Sequence, residues 1–215
     1  MPRAPKPPPS TLVILVRHGQ TPTTGSRLPG RAPGLHLADK GRAQAEAVAG
    51  HIAGLKQVDA VYASPLERAQ ETAKPIAKAR GLRVRTDRGL NECDFGHWTG
   101  RELKALAKLP EWKVVQRYPS GFRFPGGESF TEMQTRVTGT IAKLVERHRG
   151  GVIVTVSHAD PIRATVAAAM GTHLDLFQRI VVSPCSVTAI VYGIAGPVVL
   201  TVNHTNGSLG ELRPA

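Results

Sequence analysis

The sequence predicts an α/β fold, a three-layer sandwich with a mostly parallel central sheet flanked by helices. Three observations carry that prediction. Two aliphatic runs, "TLVILV" from Thr11 and "GVIVTV" from Gly151, have the length and β-branched content of strands covered on both faces, the pattern of a buried parallel sheet. Strand-like and helix-like segments alternate between them. Both runs also stop at a histidine, His18 and His158, at the strand end where open α/β sheets collect their ligands.

Taken in order, the chain opens with "MPRAPKPPPS", a basic, proline-rich stretch without an apolar centre. Residues 1–10 therefore read as a disordered tail, neither signal peptide nor membrane anchor. Residues 11–215 read as a single domain. Its first strand begins at Thr11 and runs into Arg17, His18 and Gly19. Residues 22–37 are rich in Gly, Pro and Arg, lack a hydrophobic period, and read as a loop over that strand's C-terminal end. Helical spacing then places Ala43, Ala47, Val48 and Ile52 on one face. "AVYAS" is a short second strand, and the next helix has Ser64 as N-cap, Pro65 at its first position and Gly81 beyond its end. "LRVRT" is the third strand.

From Asp87 to Gly127 the alternation fails. That stretch holds both tryptophans and "FPGG", and a lid or insertion is predicted over about residues 93–128. A helix over Phe130–Arg147 leads to the strand "GVIVTVS" and the helical "ADPIRATVAAAMG". "CSVTAIVYG" and "PVVLTVN", split by the turn signal "IAGP", read as a terminal antiparallel pair.

Lys and Arg number 28 against 16 acidic residues, a net charge of +12, which invites an anionic partner. The cations are scattered and aromatics make up only 5%. A phosphorylated small molecule is thus favoured over nucleic acid, which calls for a dense basic patch or a stacking surface. Cys93 and Cys185 form no CxxC pair, so neither a disulfide framework nor a cysteine zinc site is suggested, and a reducing cytoplasm fits. No apolar run approaches the roughly 18 residues of a membrane span, and no HExxH-type metal motif occurs. His18, His158, Ser64 and Arg68, in the first turn of the second helix, could share one crevice at the sheet edge. Arg68 alone reads equally well as a partner of Glu71 on its own helix face.

Five blocks, "LVRHGQT", "SPLERAQETA", "LNECDFGHWTG", "FPGGES" and "VSHADPIRA", in this order, resemble the histidine phosphatase superfamily, the phosphoglycerate mutase-like proteins, over nearly the whole chain after the tail. Longer matches, "HLDLFQRI" among them, resemble a bacterial subgroup described only as phosphomutases or phosphatases. The resemblance implies the phosphoglycerate mutase-like fold and a metal-independent phosphatase that hydrolyses a small phosphorylated metabolite through a phosphohistidine. The alternative it leaves is a phosphomutase using the same pocket.

At the matched positions the resemblance implies His18 as nucleophile, Arg17 and Arg68 as phosphate-binding arginines, His158 as the second histidine of the phosphate pocket, and Glu92 as proton donor. These residue types suit the chemistry. A neutral imidazole carries no charge for a phosphate ester to repel, two guanidinium forks match phosphoryl oxygens, and nearby cations disfavour a protonated His18. The backbone N–H of Ala159, at a helix start, adds an anion-binding end. Where many members carry an asparagine against phosphate, this chain has Thr24, whose hydroxyl can donate one bond.

No cofactor and no metal are implied. The expected partner is the small phosphorylated substrate, without membrane or nucleic acid, and a homodimer is admissible. The arginine pair with which glycolytic mutases hold a substrate carboxylate has no counterpart. Lys113, Arg117 and Arg123 in the insertion are either anion ligands or solvated lid charges, and Asp160 either orients His158 or favours its helix N-terminus.

Overall fold

The aliphatic run Thr11–Arg17 forms β1 near the centre of a six-stranded sheet ordered β3-β2-β4-β1-β5-β6. The structure, a computed structural model, describes residues 9–205 and Leu209. Most of the expected tail, residues 1–8, and the last stretch of the expected domain, 206–208 and 210–215, lie outside the described residues. The other strands are β2 (Ala60–Ala63), β3 (Val84–Thr86), β4 (Val152–Ser157), β5 (Val187–Gly193) and β6 (Gly196–His204). β1 to β4 run parallel, while β5 and β6 add antiparallel on the other side of β1, as a hairpin closed where Gly193 faces Gly196.

Side-chain alternation along β1 divides the core in two. Leu12, Ile14 and Val16 meet α1 (Asp39–Ala53) and α2 (Glu67–Ala79) through Val48, Ile52 and Ile76. Val13 and Leu15 face α5 (Phe130–Arg147), α6 (Ala159–Ala169), the 3-10 turn Leu174–Arg179 and the segment between β3 and α5, through Phe95, Phe130, Val137, Ile162 and Phe177. Every β1 residue from Thr11 to Val16 is at most 1% exposed, which is why its sequence shows no polar alternation.

The segment between β3 and α5 contains two short helices, α3 (Leu103–Leu106) and α4 (Pro110–Arg117). Phe124 fastens it to the core, with ring centroids 4.8 to 5.4 Å from those of Phe95, Trp98, Phe122 and Phe130. Such pairs contribute about 0.5–1.5 kcal/mol each beyond the area they bury. A capping box then starts α5, with the Ser129 hydroxyl accepting from the Glu132 N–H and the Glu132 carboxylate accepting from the Ser129 N–H. No helix among the described residues is long and apolar enough to cross a membrane.

Two local readings are corrected. The buried face of α1 is Gly41, Ala45, Val48, Ala49 and Ile52, whereas Ala43 and Ala47 are exposed. Alanine carries too little apolar area to orient a helix, and a backbone contact at Gly41 sets the rotation instead. Likewise Ser64 is not the N-cap of α2. That helix starts at Glu67 with Leu66 in the cap position and no side-chain cap bond, because the Ser64 hydroxyl bonds to His158.

Gly41 lies against the loop that leaves β1. A Cβ there would meet the Gln20 carbonyl oxygen at 2.0 Å, and one on Gly19 would meet the Gly41 carbonyl oxygen at 2.5 Å. Two further bonds dock the same loop, Ala38 N–H to the Gln20 carbonyl (2.9 Å) and Gln20 N–H to Gln44 Oε1 (3.0 Å). Gly41→Ala should therefore lower the unfolding free energy by about 1–3 kcal/mol, against the gain of about 1 kcal/mol that helix propensity alone would give. Gly50→Ala in the same helix, where a Cβ meets nothing within 4 Å, should show that gain. Urea denaturation decides, and equal stability of the two variants would mean that the contact at Gly41 does not hold the loop.

Candidate active site

Register sets the site. Arg17 faces Ser157 across β1 and β4, and Val156 faces Ala63 across β4 and β2, so the next residue of each strand, His18, His158 and Ser64, falls on one edge. The His18 N–H donates to the Ser157 carbonyl at 2.9 Å and the Ser64 N–H to the Val156 carbonyl at 3.0 Å. The two imidazole rings are 5.2 Å apart, and both are buried. Arg68, in the first turn of α2, and Glu92, just after a 3-10 turn over Arg88–Leu90, are buried as well.

Each arginine is anchored at one nitrogen. Arg68 NH2 donates to the Gly30 carbonyl and Arg17 NH1 to the Val182 carbonyl, both at 2.7 Å. Arg17 Nε and Arg68 Nε and NH1 are buried without a partner, as is His158 Nδ1. Buried donors are nearly always satisfied, and the three free guanidinium nitrogens are donors suited to an anion. His158 Nδ1 is a lone pair, because Ser64 gives its proton to Asn91 and His158 Nε2 donates to Ser64. Arg68 does not pair with Glu71, whose carboxylate binds His36 and the Leu37 N–H.

The histidine tautomers follow from their partners. His18 Nδ1 lies 2.7 Å from the Gly19 carbonyl, which can only accept. Nδ1 therefore carries the proton and Nε2 the free lone pair. Burial, then the charges of Arg68 and Arg17, hold His18 well below the ordinary histidine range. His158 is depressed in the same way, by burial first and Arg68 second. His158 Nε2 meets the Ser64 hydroxyl at 2.9 Å, and that hydroxyl reaches Asn91 Oδ1 at 2.9 Å. The Ser64–Asn91 relay orients the ring.

Glu92 moves the other way. Burial, followed by the Asp160 carboxylate, pushes its carboxyl up to about 7, against the opposing pull of Arg68, the Cys93 N–H and Arg17. Its backbone is clamped from outside the cluster. The Glu92 carbonyl accepts from Arg31 Nε (2.9 Å) and Arg136 NH2 (3.3 Å). Arg136 also donates to the Gly89 and Asn91 carbonyls, and Glu128 bridges Arg31, Arg136 and the Asp94 N–H. None of Asn91, Arg31, Arg136 or Glu128 was singled out by sequence. Their signals were the "LNECDFGHWTG" block that contains Asn91 and the "FPGGES" block that contains Glu128.

The remaining positions are more peripheral. The Thr24 hydroxyl accepts from the Thr21 N–H at 2.9 Å and so closes the turn after β1. Ala159 opens α6, with His158 in the cap position and no side-chain cap bond. Asp160 pairs with Arg163 at 3.0 Å and is not bonded to His158. Lys113, Arg117 and Arg123 are exposed, and Arg123 is engaged by the Gly127 carbonyl and Glu132. Among the described residues, no group of three or more His, Cys, Asp or Glu side chains is placed to share a metal ion.

Comparison with known proteins gives the family and the fold. The family described as the histidine phosphatase superfamily (branch 1) matches residues 13–205. Phosphoserine phosphatase 1 of Hydrogenobacter thermophilus is 31% identical over 206 residues, spanning 90% of this chain and 92% of the relative. Phosphoglycerate mutase-like protein 4 of Arabidopsis thaliana is 35% identical over 156 residues, 71% of this chain and 68% of that one. A mycobacterial glucosyl-3-phosphoglycerate phosphatase superposes with a TM-score of 0.81 at 26% identity, covering 91% of this chain and 99% of its own. The chain belongs to the histidine phosphatase superfamily.

Proposed function

We propose that this phosphatase cleaves a small phosphorylated substrate in two steps, through a phosphohistidine on His18 and without a metal ion. The observation that carries the reading is the set of unpartnered buried guanidinium nitrogens on Arg17 and Arg68 around an imidazole held neutral. In the first step the Nε2 lone pair of His18 attacks phosphorus, and the ester oxygen leaves with the proton of the Glu92 carboxyl. In the second, Glu92 as carboxylate takes a proton from water, the water oxygen attacks phosphorus, and the nitrogen–phosphorus bond breaks to restore neutral His18. The guanidinium N–H groups and the Ala159 amide receive the charge on the phosphoryl oxygens.

In this reading residues 93–128 are a lid on a single domain. The hydrolase is favoured over a mutase because Arg123 is already engaged and Lys113 and Arg117 face solvent. Among the described residues, these three cations offer no arginine pair for a substrate carboxylate. Two free, buried thiols, Cys93 and Cys185, suit a cytoplasmic protein.

His18→Ala is expected to abolish turnover, while wild-type enzyme quenched in alkali during turnover carries acid-labile phosphate and keeps its activity in EDTA. Full activity of the variant would end the covalent mechanism. Activity lost to EDTA and restored by a divalent ion would end the metal-free one.

The raised carboxyl of Glu92 gives a second expectation. With an alkyl phosphate, kcat/KM should fall as pH rises through about 7, because the general acid loses its proton. The limb from His18 should lie well below pH 6.5. Glu92→Gln should cost the alkyl ester roughly 10²–10⁴-fold in phosphoenzyme formation and erase the upper limb. p-Nitrophenyl phosphate, whose phenolate leaves unaided, should form phosphoenzyme nearly normally and then stall after a burst. Equal losses for both esters in that first step would remove Glu92 from the role of acid.

A further inference from the structure

A cavity of about 330 Å³ lies between the insertion and α6. Its walls are tied in sequence to the site. Leu28 is two residues from Gly30, whose carbonyl anchors Arg68. Phe95 is three residues beyond Glu92, and Asp160 two beyond His158. Arg163 hydrogen-bonds the Ile180 carbonyl two residues before Val182, whose carbonyl holds Arg17, so the polar wall of the cavity and Arg17 are fastened to the same short stretch of chain.

The lining is mostly apolar. Leu28, Phe95, Leu103, Trp112 and Phe124 are on its hydrophobic side, and the Trp112 ring is stacked on Trp98, 6.1 Å between centroids with the planes 28° apart. The only charged side chains are Asp160 and Arg163, and these neutralise each other. Arg163 NH1 donates to Asp160 Oδ1 at 3.0 Å and its Nε to the Ile180 carbonyl at 2.9 Å. A substrate carboxylate or ammonium placed here would have to break that pair or stay buried without a counter-charge, which is costly. The Gln116 and Gln178 amides, also on the lining, offer hydrogen bonds to a neutral hydroxyl or carbonyl.

From this lining we infer that the group esterified to phosphate is uncharged and largely apolar, with room for an aromatic ring, and that it lodges against Trp112 and Leu103. The inference rests on the phosphatase reading above and narrows its substrate class, away from amino-acid and glycerate phosphates. A volume near 330 Å³ is at the small end of ligand cavities, about 300–1,000 Å³, and fits one ring with a short chain.

The test compares 2-phenylethyl phosphate with ethyl phosphate and phosphoserine, all alkyl esters whose leaving oxygens need the same acid. The aromatic ester should exceed each of the others in kcat/KM by roughly ten- to a hundredfold. In Leu103→Asp and in Trp112→Ala the ratio of aromatic to ethyl ester should collapse toward one. A wild-type preference for phosphoserine, or a ratio untouched by both variants, overturns the assignment.

Binding is read separately in the His18→Ala protein, where 2-phenylethanol should quench fluorescence from Trp112 and Trp98. If none of the esters is hydrolysed, the phosphatase reading fails and the cavity is judged by that quench alone. A quench supports the assignment, and its absence overturns it.

Discussion

Arg68 enters the interior at the edge of the sheet with one hydrogen bond to the protein, from NH2 to the Gly30 carbonyl, and with Nε and NH1 free. A fully buried guanidinium is held against a large desolvation cost, and its neighbours are arranged around that cost. His18 and His158 stay neutral because burial and the two arginines forbid further positive charge. Glu92 keeps its proton for about half of the time near neutral pH because burial and Asp160 outweigh the arginines and lift its carboxyl to about 7. With both histidines and Glu92 neutral, Arg17 and Arg68 leave the cluster two positive charges, the complement of a phosphate dianion.

The Gly30 carbonyl can hold Arg68 only if its loop is fixed, and the fixing comes from both sides. Two acids on α2 hold the loop further on, Glu67 through the Gly34 N–H and Glu71 through the Leu37 N–H. Gly30 itself takes a φ of +52°, and a Cβ there would come within 2.8 Å of the Thr99 hydroxyl. The loop therefore passes tightly beneath the insertion in a left-handed conformation that favours glycine. Gly30 thus links Arg68, which it holds by its carbonyl, to Thr99 and Phe95 of the segment after β3, against which it is packed.

How much of this was legible in sequence depended on range. β1 and β4 announced themselves by unbroken aliphatic character, and since their C-terminal ends share an edge, Arg17, His18 and His158 could be grouped before any coordinates. Glu92 was legible only by resemblance, because a carboxylate in an irregular segment has no period. Arg136 sits on an amphipathic helix and could not be told from a solvated charge. Its bonds run 44 to 47 residues back, to the Glu92, Asn91 and Gly89 carbonyls, and no local pattern encodes such a contact. Ser64 was misread for a related reason. A serine before a helix normally caps it, but here the hydroxyl serves His158 across the sheet.

Glu92 shows what such a site asks of the fold. Its carboxyl rises from the ordinary value of 4.5 to about 7 on folding, so any stability linked to it is fully present below about pH 4.5 and is lost as pH rises through 7. By the alkaline side this is on the order of a few kcal/mol, a large share of a typical domain's margin. The Arg31–Glu128–Arg136 clamp holds the Glu92 backbone by its carbonyl, and the Phe124 cluster packs the segment that follows. Neither contact touches the carboxyl itself. The strain is thus confined to one side chain while the backbone is secured by others. In the mechanism proposed above, a phosphate dianion on the free guanidinium N–H groups would disfavour ionisation of Glu92 further, since a second negative charge beside it raises a carboxyl, and so would keep the proton where that mechanism needs it.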